Sequence, residues 1–317
     1  MHHLTSSQVA LSAAPSREHP ARRALVLGGG GSTGNAWLIG VIAGLADGGL
    51  NLDDADLVIG TSAGATAAAQ LAGALPADLQ AATVAAPARS MPAHSAPAPG
   101  DAGRRGLAGS TINHLERTDG IIASSLDAAD MRRRMGAGAL ELPGSSDPSV
   151  QARWQATVAS RLPRQEWPEH RILLTAVDAR TGEPVVFDRH SGVALADAVA
   201  ASCSSGFAYR VGDRQYIDGG YRRNENADLA AGSERILILS PFGGRTRTPT
   251  EWDMQLEKQV EELRDAGSAV AVVSPDAEVE HLFGANAMNF ALRPAAAEAG
   301  FSQGRGLAEE LSVFWGR

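Results

Sequence analysis

Gly60-Thr61-Ser62-Ala63-Gly64 follows the short segment Asp56-Leu57-Val58-Ile59 and precedes an alanine-rich stretch from Ala65 to Gly73. A serine on a sharp strand-to-helix turn is held in a strained backbone shape, with its hydroxyl projecting from the sheet edge. Strand and helix nearly touch at such a turn, and Gly60, Gly64 and the alanines leave the necessary room. The helix N-terminus beneath Ser62 favours negative charge on a reacting group. The chemistry this pattern suits is attack by an activated hydroxyl.

A second group is Gly28-Gly29-Gly30-Gly31-Ser32-Thr33-Gly34, with glycines spaced G-x-G-x-x-G at Gly29, Gly31 and Gly34. A dinucleotide site uses such a loop to bring backbone amides to a pyrophosphate. A hydrolase can use the same amides as an oxyanion hole. The dinucleotide reading also needs an acid at the end of the second strand to hold the ribose. That strand ends in Gly60-Thr61, and the nearby acids, Asp53 and Asp54, precede it.

A serine nucleophile needs a base. The histidines after the elbow are His94, His114, His170, His190 and His281. Of these, His281 lies late enough for the Ser, acid, His order of α/β-hydrolases, but no glycine loop surrounds it. Asp218 ends the short strand Gln215-Tyr216-Ile217 and is followed by Gly219 and Gly220, which let another backbone approach. A buried carboxylate can serve as base because burial raises its pKa. An Asp-Gly pair is equally a common turn, so this segment alone does not identify the base.

These residues need a scaffold. Ala24-Leu25-Val26-Leu27 reads as a buried strand, and Asn35 to Asp47 as a helix apolar almost all round, hence interior. With the Ser62 segment, strand, glycine turn and helix occur twice in succession, the pattern of a parallel sheet. Further helices are expected at Val150–Arg161, Val193–Ala201 and Glu251–Ala266. Strands are expected at Arg171–Val177, Arg235–Ser240 and Ala269–Ser274, and Gly182–Phe187 reads as the hairpin partner of the first of these. Residues 1–22 read as a flexible leader and 23–317 as one domain. The stretch 86–147 reads as a lid-like insertion, Pro-, Gly- and Ala-rich at first, with helical signals at Ile112–Arg117 and Ser124–Met135.

Bulk properties narrow the partners. A net charge of −8 argues against nucleic acid. The single cysteine, Cys203, allows no internal disulfide or thiolate cluster, and no histidine pair has helical ligand spacing, so no metal is expected. No run is long enough to span a membrane, and the leader lacks a secretion signal's apolar core, which points to a cytoplasmic protein. Transient contact with a membrane surface through an apolar rim stays open.

Taken together, Leu25 to Gly34, Gly60 to Gly64 and Asp218-Gly219-Gly220 resemble the signatures of the patatin-like acyl hydrolases in order and spacing. The resemblance extends to Ala201-Ser202-Cys203 and Asn226-Ala227-Asp228-Leu229-Ala230, but not specifically to Pro87–Asp147. It implies a three-layer α/β/α fold with a mostly parallel sheet and hydrolysis of carboxylic esters, often of lipids, without a metal or organic cofactor. It further implies a Ser62–Asp218 dyad and an oxyanion hole from amides among Gly29, Gly30 and Gly31. The other readings are a nucleotide- or lipid-binding relative with little activity, and a Ser-His-Asp hydrolase using His281. One departure is Thr33, where family members usually carry Arg or Lys; without that cation, neutral esters are the expected substrates.

Overall fold

The computed structural model describes residues 22–86 and 103–316. The strands are β1 (Arg23–Leu27), β2 (Leu57–Gly60), β3 (Arg171–Asp178), β4 (Pro184–Phe187), β5 (Tyr209–Val211), β6 (Arg214–Asp218), β7 (Arg235–Leu239) and β8 (Ala269–Val273). The first helices are α1 (Gly31–Asp47), α2 (Ala63–Leu71), α3 (Pro76–Ala85), α4 (Gly103–Ser124) and α5 (Ala128–Leu140). They are followed by α6 (Pro143–Ser146), α7 (Pro148–Ala159), α8 (Leu195–Ser202), α9 (Leu256–Asp265) and α10 (Arg293–Trp315).

The strands form one sheet in the order β5-β6-β3-β2-β1-β7-β8, with β4 also paired to β3. From β3 through β2, β1 and β7 to β8 all neighbours are parallel, in registers such as Leu27↔Gly60 and Leu27↔Leu239. β4 and β6 pair antiparallel with β3. The chain leaves β1 toward β2 and β3 and later returns on the other side of β1 to form β7. The crevice beyond the carboxyl ends of β1, β2 and β7 is therefore a topological switch point, where ligands of open α/β sheets bind.

Both faces of the sheet are covered, as parallel strands require. Leu25, Val58, Ile172 and Leu237 pack with Trp37, Leu38, Val41 and Leu45 of α1 and with residues of α2, α8 and α10. The alternate residues Ala24, Val26, Ile59, Ile236 and Ile238 meet Leu256, Val260 and Leu263 of α9. Farther along that second face, Val177 and Ile217 meet Met131 and Met135 of α5. Helices, sheet and helices thus make the expected α/β/α layers.

α1 is buried all round because α10 covers its outer side at backbone distance. A Cβ on Gly40 would sit 2.2 Å from the Ala297 carbonyl oxygen, and one on Gly304 would sit 2.1 Å from that of Val41.

Some expectations change. The helix foreseen over Ser124–Met135 is two helices broken at Ser125–Asp127, because Asp127 caps α5 by accepting the Asp130 amide at 2.7 Å. The helix foreseen over Glu251–Ala266 starts only at Leu256: Asp253 takes a left-handed φ of 53°, which ends the preceding 3-10 turn at Thr250–Trp252. Arg22 apart, the stretch read as a leader lies outside the described residues, as do 87–102 of the insertion. Among the described residues no helix is long and apolar enough to cross a membrane, and no His, Cys, Asp or Glu cluster is placed to hold a metal ion.

Candidate active site

Ser62 stands between the end of β2 and the first turn of α2 with φ 53° and ψ −112°, a strained shape for a residue with a side chain. Its neighbours enforce this. A Cβ on Gly64 would lie 1.9 Å from the Leu27 carbonyl oxygen, and one on Gly60 would lie 2.7 Å from Ala65 Cα. The Ser62 amide donates to Ser202 Oγ at 2.9 Å, and its carbonyl accepts from the Cys203 thiol at 3.1 Å. The end of α8 therefore braces the turn. Cys203 is half-buried, and desolvation pushes its thiol up to about 12, so it acts here as a neutral donor.

Asp218 ends β6 opposite Ala176 of β3, and its own amide donates to the Ser204 carbonyl at 3.0 Å. Its Oδ1 accepts the Gly220 amide at 2.8 Å. Burial raises the carboxyl pKa to about 6, against the opposing pull of the Gly220 amide and the Ser62 hydroxyl. Ser62 and Asp218 line the same cavity. Gly219 has no room for a side chain, since a Cβ there would lie 2.4 Å from the Thr175 carbonyl oxygen.

The glycine loop leaves β1 and turns into α1. The Gly29 amide donates to the Asn224 carbonyl at 3.0 Å and is therefore engaged. Gly34 caps back to the Gly30 carbonyl at 3.0 Å. Among the described residues the Gly30, Gly31 and Ser32 amides have no hydrogen-bond partner, and these residues line the same cavity as Ser62 and Asp218. Of the three amides expected from Gly29, Gly30 and Gly31, that of Gly29 is thus occupied by the Asn224 carbonyl. Thr33 is fully buried, with its amide on the Ala287 carbonyl at 3.0 Å.

The cavity has a volume of about 600 Å³. One wall is apolar, with Leu115 and Ile122 of α4, Met131 and Met135 of α5, and Met254. Another carries Asn35, Gln70, Arg161 and Arg293. Asn35 Nδ2 donates to Gln70 Oε1 at 3.0 Å, tying the start of α1 to α2. Sequence reading missed this polar wall. Gln70, a lone amide in an alanine-rich helix, was a usable signal, whereas Arg293 precedes a proline at the start of an unforeseen helix and gave none.

The histidines divide between the cavity and the outer surface. His281 is exposed in a 3-10 turn, with Nδ1 3.1 Å from the Glu278 carbonyl oxygen, and does not line the cavity. His114 does line it. Burial and the charges of Arg117 and Arg247 hold its pKa below the usual histidine value.

Among solved structures, the chain aligns with VipD from Legionella pneumophila at 14% identity and a TM-score of 0.41, covering 92% of this chain and 67% of that one. It also aligns with full-length ExoU, solved with full-length SpcU from the type III secretion system of Pseudomonas aeruginosa, at 18% identity and a TM-score of 0.37. There it covers 92% of this chain and 53% of the other, so it spans about half of that protein's length. No curated protein matches the chain. The family described as patatin-like phospholipase matches residues 25–231, a stretch that holds the glycine loop, Ser62 and Asp218. The chain belongs to the patatin-like phospholipase family, whose members are lipid acyl hydrolases.

Proposed function

We propose that this chain hydrolyses carboxylic esters of lipids through Ser62 as nucleophile and Asp218 as general base. One observation carries the reading: a strained serine at the head of a helix shares one cavity with a buried carboxylate whose pKa is raised to about 6. Near neutral pH that carboxylate is ionised yet basic enough to take a proton in the transition state.

Asp218 accepts the hydroxyl proton as Ser62 Oγ attacks the ester carbonyl. The oxyanion that forms is stabilised by backbone amides of Gly30, Gly31 and Ser32, at the N-terminus of α1. The proton then passes to the leaving alcohol, and water enters by the same route reversed to release the acid and regenerate Ser62. The apolar wall of the cavity suits an acyl chain. The helices α4 and α5 that supply it serve as a cover over the site, in the stretch read as an insertion. No metal or organic cofactor has a role in this scheme.

Fluorophosphonate labelling of the full chain beside Ser62→Ala, followed by a short-chain nitrophenyl ester assay, tests the reading. Labelling and turnover that vanish in the variant are the expected result. A folded wild type that neither labels nor turns over ester would move the chain to the class of lipid-binding relatives.

A further inference from the structure

The polar wall of the cavity holds two guanidinium groups that the ester chemistry does not use. Arg293 opens α10 and Arg161 follows α7, and both line the cavity beside Ser62. Arg293 Nη1 donates to the Ser32 carbonyl at 2.6 Å, and Nη2 donates to Asn35 Oδ1 at 3.1 Å. The Arg161 guanidinium lies 5.8 Å from the centroid of the Trp154 ring. Among the described residues neither is paired with a carboxylate. Burial, and then the charge of Arg161, push Arg293 down to about 10; burial also lowers Arg161.

Asn35 and Gln70 link the two, since Gln70 Nε2 donates to the Arg161 carbonyl at 3.2 Å, and two like charges partly withdrawn from water on one wall are unfavourable unless an anion completes them. The pair is not part of a generally basic molecule, since the chain carries a net charge of −8. Of the carboxylates on the cavity wall, Asp218 accepts the Gly220 amide at 2.8 Å and is the proposed base. The other, Glu225, accepts from Ser240 Oγ at 2.8 Å and from Asn224 Nδ2 at 2.9 Å. Among the described residues no carboxylate supplies the counter-charge, which leaves the place to an anionic ligand.

Building on the ester-hydrolase reading, we propose that Arg161 and Arg293 form an anion subsite for a phosphate monoester carried by the acyl substrate. Acylglycerol phosphates are then preferred over neutral esters. A phosphate monoester offers several acceptor oxygens to planar guanidinium forks and nearly two negative charges for two positive ones. A carboxylate brings only one charge, and a choline phosphodiester adds a cation next to the arginines. The inference reverses the expectation drawn from Thr33: the cation absent from the loop is supplied by α10, on the carbonyl of the preceding residue. With the headgroup on this wall, the acyl chain lies along Ile122, Met131 and Met135.

Calorimetry on the full chain carrying Ser62→Ala measures binding without turnover. The probes, all below their micelle concentrations, are a decyl ether of glycerol phosphate, decyl glycerol, decyl phosphocholine and decanoate. The phosphate monoester is expected to bind at least about 10-fold more tightly than the other probes. Arg161→Met and Arg293→Met are each expected to weaken it about 10- to 100-fold, and decyl glycerol far less. If Arg293→Met fails to fold by circular dichroism, Arg293→Lys replaces it, since it keeps the charge but loses the fork, and is expected to bind several-fold more weakly. Equal affinity for the phosphate and neutral probes, or arginine variants that bind phosphate like the parent, would overturn the subsite. Tighter binding of decanoate or decyl phosphocholine would overturn the phosphate monoester as its ligand. Because Ser62 is absent from these measurements, failure of the esterase assay leaves them valid. Ester turnover by the wild type without any phosphate preference in binding would sink the subsite alone.

Discussion

Asn226 Nδ2 lies 3.0 Å from the Thr61 hydroxyl, so the residue before Ser62 is tied to a loop that begins just after Asp218. The same amide group is 3.2 Å from Thr175 Oγ1 and 3.2 Å from the Gly219 carbonyl oxygen. Asn226 is fully buried and left-handed, with φ 53°, a shape that asparagine tolerates better than most residues. One side chain thus fixes the residues adjoining both members of the proposed dyad.

Replacing Asn226 with alanine is expected to lower kcat about 10- to 100-fold with a much smaller change in KM, because it loosens alignment and not substrate contact. Asn226→Asp should fare no better, since an ionised carboxylate cannot donate to these oxygens. Steady-state kinetics on a soluble nitrophenyl ester gives both numbers, and a pure KM effect would contradict the assignment.

Ester hydrolysis should have an acid limb in kcat/KM near pH 6, where Asp218 gains its proton. Activity falls as pH drops through that value, because the neutral carboxyl cannot act as base. A limb set by an ordinary carboxylate, near pH 4, would mean that Asp218 is not the group being titrated.

The same carboxyl should weaken the fold at neutral pH. A group whose pKa rises from 3.8 to about 6 on folding adds stability below 3.8, and that stability is lost as pH rises through about 6. The loss is on the order of 3 kcal/mol. Asp218→Asn, which keeps an acceptor for the Gly220 amide, is expected to melt higher than wild type at pH 8 and to lose that advantage at pH 4, while its turnover is abolished. Calorimetric melting at the two pH values checks the sign.

His281→Ala is expected to retain full esterase activity, whereas Ser62→Ala loses several powers of ten. A histidine variant that died while remaining folded would restore a triad mechanism and remove Asp218 from its role.

How much of this was legible in advance differs by element. β1, β2 and the two glycine turns could be placed because buried parallel strands read as short apolar runs and close backbone approaches demand glycine. Asp218 stood out by Gly219 and Gly220 after its strand, and only the family resemblance set it apart from an ordinary Asp-Gly turn. α10 escaped notice: its buried side is built from Gly300, Gly304, Ala296 and Ala297, which hydrophobic periodicity barely registers. The engagement of Gly29 by Asn224 was equally invisible, being a backbone contact between segments almost two hundred residues apart. The arginines of the cavity wall carried no local pattern at all.

Because α1 and α10 touch through glycines, no flexible side chain separates their axes, and the guanidinium at residue 293 is indexed to the glycine loop by the helical rise alone. Sliding α10 by one residue would shift it 1.5 Å and turn it roughly 100°, taking the charge out of the crevice. The stretch that matches the family ends at residue 231, well before this helix. The proposed anion subsite thus draws Arg161 from the matched stretch and Arg293 from beyond it. A chimera exchanging α10 between relatives with glycine-faced α1 helices could trade substrate preference and leave the ester chemistry where it was.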